Sequence, residues 1–147
     1  MLGLLVVGAA CGGARTASGP VPQDPGETVA AFLDAARSDD VQRMAQLWGT
    51  ESGPALQSMD PEVARQRLFV MAQFLSHESF EVLVDPTLSD ERIRQRTIRA
   101  RLHRSGCEPI VPFTLVRYRE GWLVNDIDLA AAGSPTEQCE ERPGVSR

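Results

Sequence analysis

Residues 98–106 read IRARLHRSG: Ile98, Ala100 and Leu102 alternate with Arg99, Arg101 and His103, and the run ends on Ser105-Gly106. A period of two places alternate side chains on opposite faces of a strand, so the stretch predicts a half-buried antiparallel strand running into a hairpin turn. The same period holds on either side of it. Phe80, Val82 and Val84 alternate with polar neighbours, and a last strand spans roughly Trp122 to Leu129 after a second turn signal at Glu120-Gly121. These runs predict a four-stranded antiparallel meander.

Upstream of Phe80 the period is helical. Asp24-Pro25 with Glu27 three residues after the cap opens a first helix, whose Val29, Phe32, Leu33 and Ala36 fall on one face. Asp39 with Gln42 repeats the capping pattern for a shorter second helix. Val41, Met44, Ala45 and Trp48 form its inward stripe and Gly49 ends it. Asp60-Pro61 starts a third helix through Leu75, and its second half, LFVMAQFL at 68–75, is apolar nearly all round. Such a helix is expected to be buried on more than one side, in the middle of the fold against the sheet. Helices followed by a run of strands define an α+β fold, with three N-terminal helices on a curved antiparallel sheet of four strands or more.

Two stretches carry a family resemblance. ETVAAFLDAARSDDVQRMAQLW (27–48) is a helix followed by an acid-capped short helix ending in tryptophan, and YREGWLVNDIDL (118–129) is a late hairpin. Both resemble the first and last elements of the nuclear transport factor 2-like superfamily, to which the SnoaL-like cyclases and ketosteroid isomerases belong. The resemblance, spanning roughly residues 24 to 130, implies a cone in which a curved sheet wraps round helices and leaves a cavity between them. Phe69, Met71, Phe74, Phe113 and Trp122 are the candidates to line such a cavity, although bulky side chains fill a core as readily as they border a hole. Family enzymes place Asp, His or Tyr in the cavity. Asp126 and Asp128, two apart on the last strand, share a face. They read either as the proton-transfer pair of a hydratase, isomerase or cyclase that the resemblance implies, or as the solvated side of the strand with Ile127 and Leu129 inward, although Trp122 and Val124 share their parity.

Composition narrows the chemistry further. All 15 basic residues are arginine, which removes Schiff-base and lysine-base chemistry and the phosphate-loop lysine. A net charge of −5 argues against nucleic acid as the main partner. The two histidines, His77 and His103, lie in no metal-ligand spacing, so neither a metal nor another cofactor is expected. His77 reads as a helix C-terminal cap, and His103 as a surface residue among arginines. Arg99 and Arg101 form a basic stripe that suits an anionic partner or simply solvates one strand face.

The N-terminus reads as an address. Residues 1–10 are apolar or small, too short for a bilayer span and of the length of a signal's apolar core. VGAAC at 7–11 resembles the lipobox of bacterial lipoproteins, in which the cysteine, here Cys11, is lipidated and becomes the mature N-terminus. Gly, Ala, Ser and Pro dominate residues 11–23, the composition of a flexible tether to a domain at 24–130. An acidic tail with Glu137, Glu140 and Glu141 occupies 131–147. With Cys11 committed to lipid, Cys107 and Cys139 are left as an even pair for a structural disulfide in an oxidising compartment, stabilising by roughly 3–4 kcal/mol. The expectation is therefore a lipid-anchored domain of the bacterial cell envelope. It is read as a non-enzymatic module for a small hydrophobic ligand or an envelope protein, with the aspartate-based enzyme as the alternative.

Overall fold

A computed structural model of the chain describes residues 19–84 and 93–134. Helix α1 spans Pro25–Arg37, and the Asp24 carboxylate accepts the Glu27 amide at 2.9 Å, the predicted cap. The helix ends where Ser38 and Asp39 turn the chain. Asp39 takes φ 54°, its amide donates to the Ala36 carbonyl and that of Asp40 to Ala35, the pairing that closes a helix with a left-handed residue. Asp39 therefore ends α1. The N-cap of α2 (Val41–Leu47) is the next residue, Asp40, whose carboxylate accepts the Arg43 amide at 2.9 Å. That moves the predicted cap by one position, because a cap residue needs non-helical φ < 0 and Asp39 is already spent on the turn.

Strands β3 (Ser79–Leu83), β4 (Gln95–His103), β5 (Ile110–Tyr118) and β6 (Gly121–Ile127) form the expected meander, each antiparallel to the next in sequence order. Val84 lies beyond β3 and is exposed. A short pair, β1 (Gly49–Thr50) with β2 (Gly53–Pro54), precedes a single 3-10 turn at Ala55–Gln57. Trp48 bridges Val124 in parallel, and the Asn125 side-chain amide donates to the Gly49 carbonyl at 2.9 Å, so the otherwise open edge of β6 is covered. The architecture is α+β.

Helix α1 is the element on the sheet: it packs on β3, β4 and β6 and buries Val29, Phe32, Leu33 and Ala36 completely or nearly so. Phe32 meets Phe113 edge-to-face with ring centroids 6.5 Å apart. Helix α3 (Pro61–Phe74) packs chiefly on α1, α2 and the final turn of helix α4 (Leu129–Ala132), which reverses the expectation that it lies centrally against the sheet. The domain also starts earlier than Asp24. Pro22 accepts a hydrogen bond from the Trp122 amide at 3.1 Å, and Arg43 donates to the carbonyls of Gly19 (2.6 Å) and Pro20 (3.2 Å). A Cβ on Gly121 would come within 2.7 Å of Val21 Cγ1 and 2.8 Å of the Pro22 carbonyl, so glycine there admits the docked segment. The hairpin itself turns on Arg119, at φ 54°.

Candidate functional site

The buried residues of α3 are Ala64, Leu68 and Ala72, continued by Leu75, a stripe one residue wide that repeats every three to four positions. The two alanines let the helix lie close to its neighbours, and beside the stripe only Met71 and Phe74 are partly covered. Phe69 is 100° round the helix from Leu68, and Val70 a further 100°. Consequently Phe69 is 55% exposed, Val70 51% and Val63 41%. The all-round apolarity of LFVMAQFL is a matter of composition, while the packing is one-sided.

Two open grooves flank these side chains. One, of about 450 Å³, runs toward α2 and is lined by Val41, Glu62, Arg65, Gln66, Phe69 and Val70. The other, of about 350 Å³, runs toward α4 and is lined by Gln66, Arg67, Val70, Met71 and Leu129. Arg65 donates to Glu62 at 2.6 Å on the exposed surface, which holds the Glu62 carboxyl below its ordinary pKa, and Arg67 stands exposed beside them. The surface is therefore apolar at its crest, polar along Gln66 and basic at its flanks.

The five candidate cavity residues do not share one site. Phe113 is fully buried and Trp122 2% exposed, both packed in the core between α1 and the sheet, with the guanidinium carbons of Arg96 and Arg117 5.5 and 5.4 Å from the Trp122 ring centre. Phe74 is half-buried, Met71 borders the α4 groove and Phe69 stands in solvent.

Neither candidate aspartate faces the core. Leu115 pairs with Val124 but Thr114 with Asp126, so Asn125 is an extra residue that bulges from β6 and reverses its parity. Trp122 and Val124 point inward before the bulge, Ile127 after it, and Asp126 and Asp128 are exposed. Asp128 instead caps α4, accepting the Ala131 amide at 3.1 Å. Of the two readings of the pair, the geometry fits the solvated one: Asp126 is an exposed residue and Asp128 a helix cap. In the basic stripe, Arg101 is paired with Glu81 at 2.7 Å across β3 and β4 while Arg99 is exposed, and His103 Nδ1 lies 2.9 Å from Glu108.

His77 is more buried than a capping residue needs to be, at 9% exposure. A carbonyl only accepts, so Nδ1–H donates to Leu75 O at 2.6 Å, leaving Nε2 buried without a partner and the ring edge-on to Phe80. Burial lowers its pKa, partly countered by the Leu75 hydrogen bond, with the charges of Arg37 and Arg104 adding to the lowering. Arg104 is a residue that periodicity gave no reason to select. Its guanidinium donates to Ser76 O and Ala132 O, each at 2.6 Å, and to Phe74 O, tying the ends of α3 and α4 to the end of β4.

Among the described residues no His, Cys, Asp and Glu cluster could hold a metal ion, and no helix is long and apolar enough to cross a membrane. Cys107 sits in the β4–β5 turn, where its backbone bridges Arg104; Cys139, Cys11 and the signal-like segment lie outside the described residues, as does the tail beyond Ser134. No protein-family model matches the chain, and no curated protein matches it. Among solved structures, the chain is similar to a phospholipid-binding protein from Ralstonia solanacearum in complex with a phospholipid. The TM-score is 0.40 at 13% identity, covering 71% of this chain and 75% of that one.

Proposed function

We propose that the chain is an exported, lipid-anchored module of the bacterial cell envelope that works by binding, with the outward face of α3 as its binding surface for an apolar partner. The supporting observation is the inversion of apolar side chains: Phe113 and Trp122 are used up in the core, while Phe69 and Val70 are more than half exposed between two open grooves. An apolar surface of this kind, rimmed by polar residues, is characteristic of interaction sites. A cone of the nuclear transport factor 2-like kind is the family reading we attach to it, and Cys11 and the Cys107–Cys139 bridge are its anchor and its staple. With Asp126 and Asp128 in solvent, the aspartate-based enzyme has no support in the geometry.

An environment-sensitive anilinonaphthalene sulfonate dye tests the surface. The folded native chain is expected to enhance its emission, and the Phe69→Ser, Val70→Ser double variant to lose that enhancement at unchanged circular dichroism; equal enhancement by both would end the proposal for α3. The intact mass of the exported chain tests the address: a species beginning at Cys11 with a diacylglyceryl addition and no alkylatable thiols until reduction is expected. A chain that retains residues 1–10 would remove the anchor, and two thiols alkylatable without reduction would remove the bridge.

A further inference from the structure

Resting on that binding reading, we propose that the partner of the α3 face is the surface of the bilayer itself: Phe69, Val70 and Val63 enter the boundary between head groups and acyl chains, and Arg65 and Arg67 meet anionic head groups. Three observations point to it. First, the arc is that of an interfacial helix: exposed apolar residues are joined by Gln66 and Gln73, which keep hydrogen-bonding capacity at head-group depth, and arginines stand at the flanks, where long stems let the charge stay wet. Second, the charge fits. Between Glu62 and Gln73 the helix has two arginines against one glutamate, a net positive face on a chain whose net charge is −5. Third, the chain enters the domain on α2, the helix that packs against α3. Arg43 holds the carbonyls of Gly19 and Pro20 there, while Val41, turned about 200° from it round the same helix, lines the groove shared with Phe69 and Val70. From Gly19 back to Cys11 is a span of at most about 29 Å even fully extended. An acylated Cys11 would hold the α2–α3 corner near the lipid, where its high effective concentration allows a shallow, individually weak insertion to be populated. A second copy is a poorer occupant, because isologous pairing on this crest sets Arg65 and Arg67 near their own counterparts.

Tryptophan emission tests it in the full chain, since the native Trp48 and Trp122 are 9% and 2% exposed. Phe69→Trp places an indole on the crest, and Glu81→Trp places one on the outer face of the sheet as the control. The chains are reconstituted in phosphatidylglycerol vesicles with or without bromine on the acyl chains. The crest indole is expected to lose roughly half its emission to brominated lipid and to shift to the blue, the control to lose almost none, and the loss to shrink in phosphatidylcholine. Equal quenching at the two positions, or none at the crest, overturns the proposal. A blue shift at the crest that grows with protein concentration without lipid assigns the face to a second copy, and one that needs added envelope protein assigns it to a protein partner; either overturns it too. Flotation separates this from the anchor. A chain that floats through Cys11 with an unquenched crest keeps the anchor and loses the inference, whereas a quenched crest on a chain whose Cys11 is unmodified keeps the inference and loses the anchor.

Discussion

His77 is buried with one ring nitrogen bonded and the other bare, and the consequence is a dependence of stability on pH. Its folded-state pKa lies below the ordinary 6.5, chiefly because burial disfavours the charged ring. In the window between the two values the unfolded chain binds a proton that the folded chain refuses. The stability held by neutral His77 is thus fully present above about pH 6.5 and is lost as pH falls through the folded pKa, with a slope of at most about 1.4 kcal/mol per unit for one proton. Urea midpoints measured from pH 7.5 downward should fall more steeply for the native chain than for His77→Leu; parallel curves would assign the acid sensitivity elsewhere. Sequence located this residue at the end of α3 and gave it a capping role; in the structure its ring bonds the carbonyl of Leu75, the C-cap residue of that helix. It gave no warning of the burial, because Phe80 meets the ring from β3. Asp39 shows the same limit on a smaller scale. Two adjacent aspartates suit an N-cap equally in composition, and only the left-handed turn at the end of α1 decides that Asp40 takes it.

At the scale of elements, α3 separates apolar composition from apolar burial. Leu68→Ala should cost about 2–4 kcal/mol by opening a cavity in the fully buried stripe, whereas Phe69→Ser, one residue later and larger in volume change, should move stability by no more than about 0.5 kcal/mol. Chemical denaturation of the two variants measures this. A comparable loss for both would mean that Phe69 is covered and that the binding surface is core. Strand β6 carries the complementary lesson. Alternation alone put Trp122 and Val124 on the same side as Asp126 and Asp128, a conflict that no reading of the strand by itself resolves. The bulge at Asn125 resolves it by reversing parity part-way along, and the Asn125 side chain fixes the irregularity by bonding Gly49. A register shift between partners is invisible in either partner's sequence.

Over the whole molecule, Arg104 is the tie between layers: one guanidinium holds the C-terminal carbonyls of α3 and α4 from the end of β4. Arg104→Leu should lower stability by about 2–4 kcal/mol, and Arg104→Lys should recover only part, since an ammonium cannot present the planar fork that meets three carbonyls. Thermal or urea unfolding distinguishes the two, and full recovery by lysine would reduce the tie to simple charge. Within the chain's own sequence, what could be determined was everything that depends on near neighbours. Caps, helical and two-residue periods and the turns gave three helices and a meander in the right order, because these rest on hydrogen bonds and spacings closed within a few residues. The tertiary structure alone decided which side of α3 is covered, that the predicted cavity residues are divided between core and surface, that the aspartates face water and that Arg104 joins two helix ends. Each of these depends on what a distant segment brings against a side chain, and burial is a property of the pair, so one member's sequence does not contain it.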